Sequence, residues 1–585
     1  MTDLAPALST IVAKVNGTPV SEALMSLLVR ARAETSLDLP GRFELAFRDE
    51  YSSVVAALAA TPGAAVELSV LTNEGGAKPV FSGEVTALET EFGPEGTRTV
   101  VRGYEKTHRL QFGRATKTFV NVTYSDVARK LIGDAGLAVG TVGSDSAVRD
   151  WVAQPNVSDW ELLAAMAAEI GFVVSCTDGK VNFSKPAAAS SAPAKGTLED
   201  FGGAKLVRGA NLLRARIVVS GAQQVSEVSV GSWDDNQKQA LLGRAPAGAQ
   251  SFAVSGAGWD PASTAARFGS KPSSELRLGL DSQSLNQTRA KALADQVGGS
   301  GAELEGTAFG DPALHAGSAV SIGGLGAPFD GKYVLSSACH DFDWDGYRTS
   351  FTSSGRHDRS LLGLAAGGGA APGPSGFGAY GLVSAIVTNN NDAEKSLNRV
   401  KVKIPALADN FETDWVPVVQ AGAGASRGAL WHPEVDDLVL VAFLQDDIRR
   451  PVVVGGMHNG KDKPKIAGAS LVKEGKVVQR GFVSRAGHTL IFSDDDSKQS
   501  VTAATSDNNH TLVLDQTGLQ ITITSKGKVT ISGAQDVTVK SDTNLTLQGM
   551  QVKITAEGPL QLQGATVKVA SDGPLEATGA IIKLN

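Results

Sequence analysis

Residues 455–462 have part of the pattern of a phosphate-binding loop. They read G-G-M-H-N-G-K-D, and a nucleotide-binding loop of this kind places Ser or Thr directly after its lysine. Here Asp462 follows Lys461, and a carboxylate at that place would repel a phosphate. We therefore expect a turn after a strand and no nucleotide site.

Two other groups of residues could bind a metal or do redox chemistry. The triplet Asp494, Asp495 and Asp496 offers oxygen ligands for a divalent cation, although we expect a solvated turn between strands. The two cysteines, Cys176 and Cys339, lie outside any C-x-x-C motif and predict two buried reduced thiols. The sequence thus predicts no catalytic residue, no metal site and no cofactor.

Charge and the N-terminus limit the partners and the location. The net charge is -7 with both signs mixed, so we find no basic face for nucleic acid and expect no such partner. The first residues, M-T-D-L, lack the basic and apolar parts of a signal peptide. No run reaches the roughly 20 apolar residues that span a bilayer. We expect a protein made in the cytoplasm without a signal peptide.

The first 365 residues predict strands interrupted by a few helices. Alternating stretches at 43–47 and 66–70 favour strands. Residues 125–134 and 158–170 favour amphipathic helices, with Ser125 and either Ser158 or Asp159 as N-caps. Residues 186–196 are of low complexity and predict a surface excursion.

A second domain is predicted over residues 381–470. Residues 366–380 are rich in Ala, Gly and Pro and predict a linker between this domain and an N-terminal domain, 1–365. Five short strands follow, which suit a small barrel of the OB type: 382–387, 399–404, 413–419, 438–444 and 451–455.

The last predicted domain, residues 471–585, contains an internal repeat. From Leu512 onward, alternating apolar pairs or triplets start about every eight residues, with Gly, Asn or Asp between most of them. The alternation places the apolar side chains on one face of each strand. About eight residues per step is too few for one chain, since a single-chain β-helix needs roughly twenty or more per turn.

Three intertwined chains would solve this problem, because their apolar faces can meet on a common axis while their strand edges pair. The sequence therefore predicts an obligate homotrimer whose C-terminal part is a triple-stranded β-helix. The alternative is one sheet of an unusual β-sandwich.

Several stretches in the predicted barrel resemble the OB-fold core of VgrG-type spikes of contractile injection systems. They are N-R-V-K-V-K-I-P from Asn398, D-W-V-P-V-V from Asp414, G-A-L-W-H-P-E-V-D-D from Gly428 and D-I-R-R-P-V-V-V-G-G from Asp447. That family usually has Gly where this chain has Asp437.

The resemblance extends to both sides of the barrel. R-A-G-H-T-L-I-F-S-D from Arg485 is similar to the lead-in to the family's needle. V-S-V-G-S-W-D from Val228 is similar to the hub domain that VgrG shares with phage tail D-type proteins. The fold class that we predict is mainly β: a hub of β-barrel domains with a few helices, an OB-fold barrel and the trimeric needle.

The resemblance implies a division of labour. The hub would form a threefold ring with pseudo-sixfold symmetry on a hexameric, Hcp-like inner tube, next to baseplate proteins. The barrel would form a collar, and the needle would lead when sheath contraction drives the assembly through a target membrane that it pierces and does not bind. Effector cargo could travel with such a spike. The assembled particle would be released, or injected into a target cell.

The C-terminal residues predict a tip contact. Some phage spikes bind iron through an H-x-H pair at the tip, and this sequence has no such pair. Exposed apolar ends need covering, so we expect a PAAR-type tip protein there. The residues that would contact it are Ile581, Ile582, Lys583, Leu584 and Asn585.

Two alternatives stay open, a phage tail hub and a β-solenoid tailspike that degrades polysaccharide. Such an enzyme needs paired carboxylates and aromatic platforms for sugars. The chain after Leu512 has no Trp, Tyr or Phe. We therefore predict a mechanical part and not an enzyme.

Overall fold

The computed structural model describes residues 10–583 except 38, 72–75, 95, 201, 223, 236, 257–258, 270, 277–279 and 355–380. The chain divides into two compact units, Met1–Asp462 and Lys463–Asn585. The fold is mainly β, as the sequence predicts. The predicted linker, 366–380, lies outside the described residues, so the domain boundaries inferred from the sequence stay predictions.

The N-terminal segment supplies seven of the eleven strands of a large sheet. In chain order the elements are β1 (Thr10–Val15), β2 (Thr18–Pro19), α1 (Glu22–Met25), β3 (Leu28–Ser36), β4 (Arg42–Arg48), α2 (Val54–Ala57), β5 (Ala65–Leu71), β6 (Ala77–Gly93) and β7 (Gly96–Tyr104). The predicted strands at 43–47 and 66–70 are confirmed within β4 and β5.

A layer of two helices and five short strands follows a 3₁₀ turn, Lys106–Gln111. Its elements are β8 (Ala115–Val122), α3 (Tyr124–Asp134), β9 (Ala138–Val142), β10 (Arg149–Val157), α4 (Asp159–Ile170), β11 (Val173–Thr177) and β12 (Lys180–Ser184). We call residues 106–184 the helical layer.

The caps of the two helices are only partly as predicted. Ser158 caps α4 in a capping box with Glu161. The predicted cap of α3, Ser125, is wrong. Thr123 caps that helix, because its hydroxyl accepts from the Asp126 amide while the Ser125 hydroxyl donates to the Gly143 carbonyl at 2.6 Å.

The third segment completes the large sheet. Its elements are β13 (Lys205–Val207), β14 (Leu212–Val219), β15 (Glu227–Asp234), β16 (Gln239–Pro246), β17 (Phe252–Val254), α5 (Pro261–Arg267), β18 (Ser273–Leu276), α6 (Gln283–Gly299), β19 (Ala302–Phe309), β20 (Ala319–Gly323), β21 (Gly331–Val334), β22 (Ser337–Asp343) and β23 (Gly346–Ser354). The large sheet has 11 strands in the order β14-β19-β23-β22-β3-β4-β7-β6-β5-β1-β2.

The register of the large sheet separates an apolar face from a charged one. Leu45 lies opposite Ala31 and Val101, and all three are buried. Its neighbour Glu44 lies opposite Arg102 on the other face, where the Arg102 Nε donates to the Glu44 Oε2 at 2.9 Å. The period of two residues along each strand produces both faces.

Most of residues 186–196 are exposed or half-buried, as expected for a surface segment, but two positions anchor the segment. Ala189 and Ala192 are buried. The Lys332 Nζ on β21 donates to the Ser190 carbonyl at 3.1 Å and to the Ala192 carbonyl at 2.7 Å. The small side chains of this segment let it pack closely on β21.

The barrel consists of short strands, mostly as predicted. They are β24 (Leu382–Asn389), β25 (Lys401–Lys403), β26 (Ala423–Gly424), β27 (Arg427–Gly428), β28 (Leu438–Phe443) and β29 (Pro451–Gly456). The predicted strand at 413–419 is wrong, since that stretch makes only two isolated bridges, from Val416 to Val400 and from Val418 to Val453. Pro417 lies within it and has no amide hydrogen for a ladder bond.

The second unit contains a small hairpin and an antiparallel sheet. The strands are β30 (Val472–Lys473), β31 (Lys476–Val477), β32 (Gln479–Val483), β33 (Thr489–Asp495), β34 (Lys498–Ala504), β35 (His510–Asp515) and β36 (Gln520–Ser525), and the last five pair in sequence order. The described residues from 526 to 583 form no strand within one chain.

A buried carboxyl group lies where β7 meets the helical layer. The Gly41 amide donates to the Glu105 Oε2 at 2.9 Å, and a β-carbon on Gly41 would lie 2.6 Å from the Glu105 Cδ, so only glycine fits. Burial raises the pKa of Glu105 to about 7. Below that pH the carboxyl is held protonated in the folded protein.

Glu105→Gln should remove a pH dependence of stability. The unfolded carboxyl ionises near pH 4.5 and the folded one near 7, so the wild type loses stability as pH rises through this window. Relative to Glu105→Gln, the wild type should lose roughly 2–3 kcal/mol of unfolding free energy between pH 4.5 and 8. Urea denaturation at both pH values measures it. Glu67→Gln, a change of an exposed residue, is the control. An equal change of unfolding free energy with pH in all three proteins would contradict the raised pKa of Glu105.

Candidate functional site

The sheet of the second unit has one face that is apolar from strand to strand. Across β33, β34 and β35, Phe492 lies opposite Val501, which lies opposite Leu514. Leu514 lies in turn opposite Ile521 on β36. Because paired residues share a face, the alternation along each strand aligns into one apolar surface.

This apolar face is open to solvent in one copy of the chain. Phe492 and Leu514 are 40% and 43% exposed, and Ile521 is 72% exposed. An open groove of about 730 Å³ runs over the face between these side chains. A soluble protein does not normally leave so long an apolar surface in water.

The repeat that follows is exposed in the same way. Its apolar positions recur at a spacing of 15 residues, as in Val537, Val552, Val567 and Ile582, with a second series midway between them. Every one of these side chains is at least half exposed: Val529, Ile531, Val537, Val539, Leu545, Leu547, Val552, Ile554, Leu560, Leu562, Val567, Val569, Leu575, Ile581 and Ile582. One chain provides a periodic apolar side and covers none of it.

The predicted tip residues lie at the end of this segment. Ile581 is 77% exposed, and Ile582 and Lys583 are exposed as well. Leu584 and Asn585 lie outside the described residues. The assignment of these five residues to a tip contact stays a prediction.

In the barrel, a buried ion pair fixes the loop before β25. Arg399 donates to both carboxylate oxygens of Asp392 at 2.9 Å, and this guanidinium lowers the pKa of Asp392 to about 2. The side chain of Asp392 is 1% exposed. The sequence alone does not predict this pair, since it shows only two opposite charges seven positions apart.

Among the described residues, the side chains of the motif around His432 make contacts that hold a loop in place. The His432 Nε2 lies 3.1 Å from the Asn390 carbonyl and donates to it, while the Trp431 amide donates to the Gln420 side chain at 2.9 Å. Asp437, which replaces the usual glycine, accepts from the Glu434 amide at 2.8 Å and closes the turn. These contacts fix the loop between β27 and β28.

The residues that suggested phosphate or metal chemistry have other partners. The Asn459 side chain accepts from the amides of Lys461 and Asp462, so those amides do not form a phosphate cradle. Asp494 and Asp495 pair with Arg480 and Lys473, and the Lys473 ammonium lowers the pKa of Asp495 to about 2. Among the described residues, no three His, Cys, Asp or Glu side chains are arranged to hold a metal ion.

The two thiols are free and half-buried. Burial raises the pKa of Cys176 to about 12 and also raises that of Cys339, which receives a hydrogen bond from the Arg32 Nε at 3.0 Å. A thiol with a raised pKa is a weak nucleophile. In the described part of the chain, no helix is both long and apolar enough to cross a membrane.

Two family models match this chain. One is described as the Alg8 N-terminal domain and matches residues 51–343, half of the chain. The other is described as the type VI secretion system/phage-baseplate injector OB domain and matches residues 383–458.

Curated relatives match over a short segment. The type VI secretion system spike proteins VgrG2a and VgrG2b of Pseudomonas aeruginosa are each 34% identical over 73 residues, which is 12% of this chain. The match spans only 9% and 7% of the length of those proteins. Together with the family model that matches the barrel, this similarity confirms the resemblance to VgrG-type spikes.

Solved structures match the fold over most of the chain. A chain of the Francisella PdpA-VgrG complex, half-lidded, has a TM-score of 0.53 at 9% identity and covers 89% of this chain and 88% of its own. The E. coli c3393 protein, a type VI secretion component, has a TM-score of 0.45 at 15% identity and covers 76% and 99%. At 9% identity, the first of these establishes a shared fold only.

Val552→Asp should disrupt assembly of the chain, whereas Thr555→Asp should not. Residue 552 belongs to the apolar series, and residue 555 has the opposite parity in the same alternation. A carboxylate on a face that becomes buried costs several kcal/mol per chain. Sedimentation velocity should show a smaller particle for Val552→Asp alone. Equal behaviour of the two variants would contradict burial of this face.

Proposed function

The chain belongs to the family described as the Alg8 N-terminal domain, and we propose that it forms the trimeric hub and spike at the tip of a contractile injection system. In this role it connects the inner tube to a puncturing tip and pierces a target membrane when the sheath contracts. The proposed function is mechanical and needs no catalytic residue. A phage tail hub is the alternative that the same fold would serve.

One observation carries the proposal. The second unit presents an aligned apolar face and a periodic apolar side, both exposed in one copy, directly after a barrel that matches an injector OB domain. Identical copies have identical repeats, so a threefold bundle can match this period along its whole length. The stiff rod that results suits a piercing function.

One end of the large sheet lies away from the barrel. The exposed aromatic side chains at this end support docking on the inner tube. Tyr51, Phe92 and Trp344 are 87%, 86% and 88% exposed. Tyr51 and Trp344 lie on turns between strands of the large sheet, and Phe92 lies near the end of β6. The Thr97 carbonyl accepts from the Asp49 amide, two residues before Tyr51, and Thr97 pairs with Phe92.

Strand directions place Trp344 at this same end of the sheet. It follows β22, whose last residues pair with the start of β3. At the opposite end, β7 leads through Tyr104 to Leu110, which packs in a core shared with the barrel. Exposed aromatic side chains are common anchors of protein interfaces. We call Tyr51, Phe92 and Trp344 the aromatic end and assign it to the tube.

The proposed partners at the C-terminal residues 581–585 are a PAAR-type tip protein and effector cargo. The exposed Ile581 and Ile582 support an apolar tip contact, because exposed apolar side chains gain free energy from being covered. Baseplate proteins would surround the hub, and the assembled particle would be released, or injected into a target cell.

Variants at the two ends should separate the two proposed contacts. Phe92→Ser with Trp344→Ser should weaken binding to the cognate inner-tube protein at least tenfold, because buried aromatic anchors dominate interfaces. The same variant should still bind the cognate PAAR-type protein. Ile581→Asp with Ile582→Asp should give the reverse pattern. Biolayer interferometry with each purified partner measures both affinities.

Each double variant is the folding control for the other. If neither partner binds the wild type, the proposed function is wrong. If both partners bind and the aromatic-end variant retains full affinity for the tube, the proposed docking face is wrong while the function stands.

A further inference from the structure

The barrel and the helical layer share one hydrophobic core, although the undescribed residues 355–380 lie between them in the sequence. Buried residues of both parts belong to a single cluster, including Leu162 and Met166 on α4 and Val387 and Phe411 in the barrel. The Trp151 ring on β10 meets the Phe411 ring with centroids 6.0 Å apart. The two parts are therefore packed together and not merely tethered.

Arg449 crosses this contact from the barrel side. Its Nη1 donates to the Glu169 Oε2 on α4 at 2.9 Å and lies 3.2 Å from the Tyr124 hydroxyl. Its Nη2 and Nε donate to Asp447, within the barrel, at 2.7 and 3.0 Å. One guanidinium thus joins a carboxylate from each part.

The surroundings of Arg449 keep water out. The side chains of Arg449 and Glu169 are 9% and 2% exposed. The Tyr124 hydroxyl donates to the Glu169 Oε1 at 2.8 Å, and the Arg149 guanidinium stacks on the Tyr124 ring at 3.4 Å. A second contact joins Arg450 to Asp235, whose side chain is 60% exposed.

Removing one partner of a buried ion pair is costly, because the remaining charge is left in an apolar place. Without Arg449, Glu169 and Asp447 would be two like charges near each other at the contact. Apolar packing alone has little directional preference, whereas a guanidinium that donates to two carboxylates fixes an orientation.

We propose that Arg449 is a positioning residue that holds the barrel on the helical layer of the hub independently of the covalent connection through residues 355–380. If the chain is a spike, as proposed above, thrust passes from the hub to the barrel through this packed contact and not through the linker. The structural statement does not depend on that function.

A cleavable linker tests the proposal. A protease site placed within residues 366–380 of the full-length protein interrupts a stretch with almost no core-forming residues. After cleavage, the wild-type fragments should stay together in size-exclusion chromatography at low micromolar concentration. Arg449→Met should raise the dissociation constant of the fragments about 100-fold, the effect expected for an uncompensated buried charge.

Three further variants distinguish positioning from general damage. Arg450→Met should change the dissociation constant by less than about threefold, because its partner is exposed. Arg449→Lys should be intermediate, because one ammonium cannot make the same paired contacts. Glu169→Gln removes the partner on α4 and should also release the barrel, which keeps the test valid if Arg449→Met does not fold.

Circular dichroism of the uncut variants verifies folding. Cleaved wild-type fragments that separate, or folded Arg449→Met and Glu169→Gln fragments that stay together as tightly as the wild type, would overturn the proposal. None of these measurements uses a tube, a tip protein or a target cell, so a failed spike function would leave the result unchanged.

Discussion

The apolar side of the C-terminal repeat is larger than one copy of the chain can bury. Its side chains come in a fixed period, and each is at least half exposed in the single chain. Burial of apolar area is the main favourable term in folding, so this surface requires a partner of the same period. In the proposed trimer, a second and third copy of the same segment would satisfy that condition without any other protein, and the rest of the proposed function follows from it.

In the proposed spike, the hub and the barrel would meet a different physical requirement, that of transmitting force without bending. The apolar side chains of the N-terminal strands pack with one another and with α2 in one core, whereas Glu44 and Arg102 pair across strands on the other face. The barrel joins the helical layer through a common core and the buried Arg449. Close packing and a paired buried charge both resist sliding, which a polypeptide tether alone would not do.

Local patterns in the sequence predicted most of the strands, the barrel and the repeat, because alternation along a strand is a property of neighbouring residues. Non-local contacts were missed. Arg449 lies beside Arg450 and near Asp446 and Asp447, which indicates a solvated cluster, while its partner Glu169 lies 280 positions away. The one available signal was a glutamate beside Ile170 on the apolar side of a helix. The sequence also contains Pro417, whose missing amide hydrogen is evidence against a strand at 413–419.

Native mass spectrometry of the purified full-length chain tests the central claim most directly. We expect a particle of three times the chain mass of 60.3 kDa that persists on dilution to nanomolar concentration. A folded monomer with a cooperative melting transition of its C-terminal unit would contradict it.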